Sequence, residues 1–234
     1  MKEVDEFQFL GVTVHKNFRF KSHYNKVLAK LKKGLNALIS SKKYLTYNAK
    51  LQIYHSLFHS HLLYCSLIWL PKISKTQLNC LFGLQKKALR AVFNTRFNSH
   101  TNVLFQMSKV VKVTDICKKE SLKFMYQFKE NKLPVAISNI IKKHTSIQKS
   151  VTRSQKSSTN LTIRGLRNGD TLFDIITHWN ESDIEIKENT YEHKSVNQRI
   201  NHYLRKSYST CEKSSCFNCF RTKDTHILEQ YMLS

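Results

Sequence analysis

Apolar residues recur at helical spacing through most of the first 143 residues of this 234-residue chain. Val27, Leu31, Leu35 and Leu38 follow one another at intervals of three or four positions. This period places them on one face of an α-helix and leaves Lys residues on the rest of its circumference. The pattern predicts a first amphipathic helix from Ser22 to about Tyr44.

The stretch from Thr46 to Trp69 is apolar over more than one face of a helix. Aromatic residues such as Tyr54 and Phe58 stand beside aliphatic ones around most of its circumference. A helix of this kind is normally buried. We therefore expect one continuous helix at the centre of the fold, with Thr46 as its N-cap and Pro71 ending it.

Further helices and one strand follow from the same criteria. The next helix begins near Ser74, with Ser74 or Thr76 as its possible N-cap, and its apolar period continues to Phe93. Residues 94–112 show no clear period. The remaining predicted elements are helices over about Thr114–Asn131, Val135–Lys143, Thr171–Trp179 and Lys194–Tyr208, and a short strand over Leu161–Arg164. Residues 144–160 are polar and aperiodic, which is typical of a linker or surface loop.

The N-terminal segment alternates instead. Residues 7–14, FQFLGVTV, are rich in β-branched and aromatic residues, and Gly11 interrupts them. The pattern predicts a short hairpin or a strand with a bulge. Because two short strands are unstable alone in water, we expect them to pack on the helices or to end a larger sheet.

Composition supports a mostly helical fold. The chain has only five Gly and two Pro, fewer than folds with many tight turns require. We predict a mostly α chain with a short N-terminal β-hairpin, a helical bundle and a smaller α(+β) C-terminal region. The expected limits are 1–20 for the hairpin, 21–143 for the bundle, 144–160 for the linker, 161–208 for the C-terminal region and 209–234 for a tail.

Positive charge dominates the chain, with 39 Lys and Arg against 16 Asp and Glu. No acidic residue occurs from Phe7 to Thr114. An acid-free basic half favours a polyanionic partner, above all nucleic acid. An anionic membrane surface is the alternative, but interfacial binding favours one strongly amphipathic basic helix, and the charge here is spread over several.

Targeting features are not evident. The chain has no apolar run of about eighteen residues that would predict a membrane span, and its first residues lack the apolar core of a secretory signal. We expect an intracellular protein, nuclear or cytoplasmic, with reduced cysteines. Cys65, Cys80 and Cys117 fall on predicted helices, where we expect small core residues.

The tail contains Cys211, Cys216, Cys219 and His226 within sixteen residues. Thiolates and imidazoles are the ligands of tetrahedral zinc sites, and a Cys-x2-Cys pair is typical of a chelating hairpin. The spacing does not equal that of a standard zinc finger or knuckle. Zinc held by these four residues is one prediction, and free thiols or disulfides are the alternatives.

Clustered carboxylates are missing from the basic half. A two-metal polymerase or nuclease needs carboxylates that hold two cations close together. The first 114 residues contain only Glu3, Asp5 and Glu6, and no Asp-Asp pair occurs in the chain. We expect that this chain alone neither cuts nor polymerises nucleic acid.

Several short motifs, taken in order, resemble a known family. They are Phe9-Leu10-Gly11-Val12, Phe20-Lys21-x-His23, Ile53-Tyr54, His61-Leu62-x-Tyr64-Cys65-Ser66-x-x-Trp69, Leu84-Gln85-Lys86-x-Ala88-x-Arg90, Thr152-Arg153-Ser154 and Trp179-Asn180. This succession resembles the C-terminal part of LINE-type (non-LTR) retrotransposon reverse transcriptases. The resemblance is closest over residues 7–134 and extends to about residue 208.

The resemblance implies a hairpin that grips the primer end and a helical thumb that holds the template–primer duplex by its backbone. Phe9, Leu10 and Gly11 would be the remnant of the primer grip. The thumb contacts, assigned by charge pattern, would be Lys26, Lys30, Lys33, Lys86, Lys87 and Arg90. The catalytic palm with its Asp-Asp motif has no counterpart here, so the implied protein is a reverse transcriptase fragment without polymerase activity of its own.

The expected function is nonspecific binding of RNA or RNA–DNA duplex through phosphates on a basic, thumb-like helical surface. Two alternatives stay open. The chain can be part of an RNA-directed DNA polymerase that is active only with a palm domain supplied in trans. It can also be a helical interaction module or a relic without function.

Overall fold

The structure, a computed structural model, describes residues 5–147, 160–187 and 195–208. Within these ranges the chain is mostly helical, with an N-terminal antiparallel hairpin and a second two-stranded sheet, which confirms the predicted fold class. The chain divides into two units. Unit 1 comprises described residues 5–65, 73–114 and 205–208, and unit 2 comprises 66–72, 115–147, 160–187 and 195–204. The predicted bundle, 21–143, extends over parts of both.

The elements follow one another in two groups along the chain. The first group is β1 (Glu6–Phe9), β2 (Val12–His15), α1 (Lys21–Ser40), α2 (Tyr47–Ile53), a π-helical segment (Tyr54–His59), α3 (Ser60–Leu63), α4 (Ser66–Trp69), a 3-10 turn (Leu70–Lys72), α5 (Lys75–Val92) and α6 (Asn102–Met107). The second is α7 (Val113–Lys129), α8 (Val135–His144), β3 (Thr145–Ile147), β4 (Leu161–Ile163), α9 (Thr171–Asn180), α10 (Ile184–Lys187) and α11 (Val196–Lys206).

The hairpin forms at the predicted place. β1 and β2 pair antiparallel, with Phe9 opposite Val12. The turn residues Leu10 and Gly11 have φ values of 45° and 80°, the positive values that a type I′ hairpin turn requires at both central positions. Strand β2 packs on α1 and buries Val12 and Thr13, whereas β1 is exposed. The expectation that the strands pack on helices is therefore confirmed for β2.

Helix α1 carries the predicted apolar stripe. Leu31 and Leu38 are fully buried, and α1 packs against α5, the π-helical segment and β2. The helix ends at Ser40, earlier than the expected Tyr44. The hydroxyl of Ser41 donates to the Leu38 carbonyl oxygen at 3.2 Å, a local bond that competes with continued helix.

The central stretch is not the single helix that its pattern predicted. Thr46 is the N-cap as expected, because its hydroxyl accepts from the Ala49 N–H at 3.4 Å. The helix then widens into the π-helical segment and stops after α3, at Tyr64. Cys65 has a φ of 50°, which a right-handed helix cannot accommodate, so α4 starts anew.

Burial along the central stretch is also narrower than expected. In the unit 1 part, Tyr54, Phe58 and Leu62 are fully buried, whereas Leu57 and Tyr64 are exposed. The buried residues follow a spacing of four and share one side of the segment. The stretch therefore has one core-facing side, and the prediction of burial around most of the circumference was wrong.

Other local predictions hold, with two additions. Ser74 caps α5 through a capping box, since its hydroxyl accepts from the Gln77 N–H and the Gln77 side chain accepts from the Ser74 N–H.

The aperiodic residues 94–112 contain the short helix α6. Residues 145–147 of the predicted linker form β3, which pairs with the predicted strand at 161–163. The rest of that linker, residues 148–159, lies outside the described ranges.

Unit 2 has its own aromatic core. The rings of Tyr126 and Trp179 meet edge-on with centroids 5.6 Å apart, and the Arg199 guanidinium lies 5.4 Å from the Tyr126 centroid. Asn180 accepts from the Leu161 N–H at 2.9 Å and donates to the Leu161 carbonyl oxygen at 2.8 Å. The Trp179-Asn180 pair thus joins α9 to β4 and fills the core.

Candidate nucleic-acid interface

Three lysines form a row on the exposed side of α1. Lys26, Lys30 and Lys33 are all exposed, and their spacing of four and three residues places them on one helix face. The row extends over about 10 Å of the helix axis. We call these three residues the α1 lysine row. Its helix lies within a stretch, Phe7 to Thr114, that has no acidic residue, so no carboxylate of that stretch offsets the charge.

Lys26 also has a role within the protein. Its ammonium donates to the Thr13 hydroxyl at 2.9 Å and so joins α1 to strand β2. Lys30 and Lys33 lie one and two turns further along the helix, with exposed side chains. The row therefore begins at the hairpin and continues onto a part of α1 that faces solvent.

Two histidines near this row have lowered pKa values, and burial is the larger cause in both. Burial, together with the nearby ammonium groups of Lys26 and Lys30, holds the pKa of His23 below its usual value. Burial and the charge of Lys30 likewise lower the pKa of His61. The Nδ1 atom of His23 accepts from the Thr13 N–H at 3.4 Å, which fits a neutral imidazole. A surface that disfavours a further cation favours an anionic ligand.

The basic residues late in α5 have different surroundings. Lys87 is exposed. The Lys86 ammonium lies 4.1 Å from the centroid of the Phe82 ring, a cation–π contact within the helix. The Arg90 guanidinium donates from Nε and Nη2 to the Ser99 carbonyl oxygen, at 3.0 and 2.9 Å, and burial lowers its pKa. Of these three cations, Lys87 is thus the one best placed to meet an external phosphate.

The hairpin tip holds the three residues matched to a primer grip. Phe9 and Leu10 are exposed, and the Tyr64 hydroxyl donates to the Leu10 carbonyl oxygen. The ring of Tyr64 also lies 3.7 Å from where a Cβ of Gly11 would be. Tyr64 leaves the helix path with an extended backbone, ψ 117°, immediately before the positive φ of Cys65. Sequence periodicity gave no signal for this contact.

Gln85 is a second residue whose role the pattern did not show. Its side chain is fully buried, with Nε2 donating to the Tyr54 hydroxyl at 3.1 Å and to the Val111 carbonyl oxygen at 2.9 Å. Its Oε1 accepts from the Val113 N–H at 2.8 Å. Within the Leu-Gln-Lys motif, Gln85 therefore has a structural role in the core of unit 1. A polar residue on the apolar stripe of α5 was the one available signal.

The thiol and imidazole groups of the described residues form no metal site. No group of three or more His, Cys, Asp or Glu in these ranges is arranged to hold a metal ion. The predicted zinc ligands Cys211, Cys216, Cys219 and His226 lie outside the described residues. Cys80 is exposed, which corrects the expectation of a core position, and Cys65 and Cys117 are half-buried.

Neither a membrane span nor a known relative adds to this picture. Among the helices that the structure describes, none has the length and apolarity needed to cross a membrane. Comparison with protein-family models, curated proteins and solved structures finds no match to this chain.

Proposed function

We propose that this chain binds RNA or RNA–DNA duplex without sequence specificity, by contacting phosphates with the α1 lysine row and Lys87. The observation that carries the proposal is the α1 lysine row itself, three exposed lysine residues on one helix face in an acid-free stretch. A lysine that contacts a phosphate acts as a point charge, and such a contact carries no sequence information. The resemblance to the thumb of LINE-type reverse transcriptases supports a duplex as the ligand.

The packing of α1 supports the same proposal. The helix buries its opposite face against α5 and the π-helical segment, and Leu31 and Leu38 are fully inaccessible. The lysines therefore project from a rigid element, so few residues need to be ordered on binding. Held in this way, three ammonium groups can follow one strand of a duplex backbone.

The test is a salt titration of binding to a fluorescently labelled RNA–DNA hybrid. Neutralising phosphates releases condensed counterions, so the logarithm of the association constant should fall linearly with the logarithm of salt concentration. The variant Lys30→Glu/Lys33→Glu should bind more weakly and should reduce the salt slope by about 2, roughly one for each lysine that no longer neutralises a phosphate.

A matched control separates a specific face from total charge. Lys142 and Lys143 are exposed neighbours at the end of α8 in unit 2. The variant Lys142→Glu/Lys143→Glu makes the same change in net charge and should keep the affinity within about twofold. Equal losses in both variants would show that net charge alone drives binding, and the proposed face would be abandoned.

Primer extension distinguishes this proposal from the enzyme alternative. We propose that the isolated chain binds a primed template with dNTPs and Mg²⁺ but does not extend it. Extension by the isolated chain would contradict the proposal, and extension only after addition of a palm domain would support the trans-acting alternative. Tight protein binding with no dependence on salt would instead favour an interaction module.

A further inference from the structure

Two connections of unit 1 meet at one end of its helices. The α1–α2 connection and the α5–α6 connection are joined where the Lys42 ammonium donates to the Thr95 carbonyl oxygen at 3.3 Å. The rings of Tyr47 and Phe93, which flank the two connections in sequence, have centroids 5.0 Å apart. Residues far apart in sequence are therefore held next to each other at this end of the unit.

Each connection presents one aromatic ring to solvent at this meeting point. Tyr44 is 85% exposed and Phe97 is 89% exposed. Tyr44 lies two residues after Lys42, and Phe97 lies two residues after Thr95. Since consecutive Cα atoms are about 3.8 Å apart, the Tyr44 Cα lies within about 8 Å of the Lys42 Cα, and the Phe97 Cα lies within about 8 Å of the Thr95 Cα.

The loop that carries Phe97 is tied to the helix before it. The Thr95 N–H donates to the Arg90 carbonyl oxygen at 3.0 Å, and the Ser99 N–H donates to the Arg96 carbonyl oxygen at 3.1 Å. The two bonds from the Arg90 guanidinium to the Ser99 carbonyl oxygen clamp the far side of this turn. Phe97 is thus the second residue of a four-residue turn whose backbone is held from both ends.

The charge next to the rings is positive. Lys43 precedes Tyr44, and Arg96 precedes Phe97, and both cations are exposed. Neither connection contains an acidic residue. An exposed Phe or Tyr ring has no apolar partner in water. A nucleotide base could stack on such a ring, and the phosphate of that nucleotide could pair with the adjacent cation.

We propose that Tyr44 and Phe97, with Lys43 and Arg96, form a stacking site for unpaired nucleotides of a single-stranded nucleic acid. Base pairs inside a duplex are stacked on both faces and present none to an external ring, so this site takes the strand beside a duplex. The inference deepens the duplex binding proposed above and rests on it to that extent. Because stacking uses the faces of the bases, the site has little sequence preference.

The experiment compares three labelled RNA–DNA hybrids with the full chain. One hybrid is blunt, one carries a single-stranded overhang of about six nucleotides, and one carries an abasic overhang of the same length. The overhang should tighten binding about tenfold relative to the blunt hybrid. The abasic overhang, which keeps the phosphates and lacks the bases, should lose most of this gain.

Variants assign the gain to the two rings. Tyr44→Ala/Phe97→Ala should abolish the overhang effect and leave the blunt-hybrid affinity unchanged. Tyr44→Phe should retain the effect, because it retains a stacking ring. Phe18→Ala, which removes another exposed ring of unit 1, should also retain it. Circular dichroism spectra and urea midpoints equal to those of the wild type establish that each variant is folded. The variant Tyr44→Leu/Phe97→Leu repeats the test with apolar side chains that cannot stack.

The outcomes separate this site from the proposed function. Blunt binding with no gain from the overhang would overturn the stacking site and leave the duplex function standing. Equal gains from normal and abasic overhangs would overturn it as well, since phosphates alone would explain them. Ring-dependent binding of a free single strand without blunt-hybrid binding would support the site and refute the duplex function. Ring-dependent binding to phosphatidylserine vesicles, with no overhang effect, would assign the rings to a membrane surface and overturn the proposal.

Discussion

The Nε2 atom of Gln85 donates to the Tyr54 hydroxyl across 3.1 Å in the core of unit 1. Both side chains are fully buried, so water cannot replace either partner. The same amide group also satisfies the Val111 carbonyl and the Val113 N–H, where the chain enters α7. One side chain therefore joins the π-helical segment, α5 and the start of α7.

Replacing Gln85 should destabilise unit 1 strongly. Gln85→Leu leaves the Tyr54 hydroxyl and two backbone groups without this partner, and we expect the free energy of unfolding to fall by about 3 kcal/mol. Tyr54→Phe removes one of these bonds and should cost about 1 kcal/mol. Urea denaturation measures both. A loss for Gln85→Leu no larger than that for Tyr54→Phe would contradict the three-way role.

Two helical glycines should respond oppositely to Ala. A Cβ on Gly34 would lie 2.7 Å from the Leu57 carbonyl oxygen, because α1 passes close to the π-helical segment. Gly34→Ala should lower the free energy of unfolding by roughly 1 to 2 kcal/mol despite its gain in helix propensity. At Gly83 in α5 a Cβ would meet nothing within 4 Å. Gly83→Ala should stabilise by about 0.5 to 1 kcal/mol, and stabilisation by both variants would refute the close approach.

Acid should weaken the junction between the hairpin and α1. The folded protein holds the pKa of His23 below 6.5, so the unfolded chain takes up a proton first as the pH falls. The stability that the neutral imidazole contributes is complete above pH 6.5 and is lost as the pH falls through the folded pKa. Protonation also removes the acceptor for the Thr13 N–H.

Thermal unfolding between pH 7.5 and pH 5 tests this dependence. The melting temperature of the wild type should fall as the pH is lowered. It should fall less steeply in His23→Gln, whose side chain does not titrate. The melting temperature of that variant should still depend on pH to some extent, because His61 and His178 also have lowered pKa values. Identical slopes in the wild type and His23→Gln would exclude the His23 contribution.

Substitution of Arg90 should affect stability, whereas substitution of Lys87 should affect binding. Arg90→Ala removes two bonds to the Ser99 carbonyl oxygen and should lower the free energy of unfolding by about 1.5 kcal/mol. Lys87→Ala changes an exposed residue and should leave stability within about 0.5 kcal/mol while weakening hybrid binding. Urea midpoints and fluorescence anisotropy measure the two effects. If Arg90→Ala binds the hybrid more weakly at unchanged stability, Arg90 contacts phosphate and its structural role is refuted.

The zinc prediction for the tail is tested by metal content. Purified chain should contain zinc in equimolar amount, and Cys216→Ser/Cys219→Ser should lose it because the tight Cys-x2-Cys half is removed. Cys65→Ser/Cys80→Ser is the control with the same number of thiols changed. Loss of zinc from that control, or no zinc in the wild type, would refute the predicted ligand set.

Local chemistry predicted the parts of this fold that depend on neighbouring residues. Ser74 and Gln77 lie three residues apart and satisfy each other's backbone groups, so a capping box can be predicted without knowing the rest of the chain. The Lys spacing on α1 likewise determines a shared face through helix geometry alone. The candidate phosphate contacts of α1 could be named from the sequence for this reason.

Contacts between distant residues were beyond the same reasoning. The break at Cys65, the burial of Gln85 and the clamp of Arg90 on Ser99 depend on partners that no period or spacing identifies. Tyr44 and Phe97 are 53 positions apart in the sequence and become one candidate site only because Lys42 meets Thr95.

The sequence by itself determined most of the helical segments, where several of them begin, and that the stretch from Phe7 to Thr114 is basic and free of acids. Those properties follow from period, capping and charge, which act over a few residues. The tertiary structure alone decided which cations face solvent and which bind carbonyl oxygens, because packing between distant segments selects the partner of each polar group.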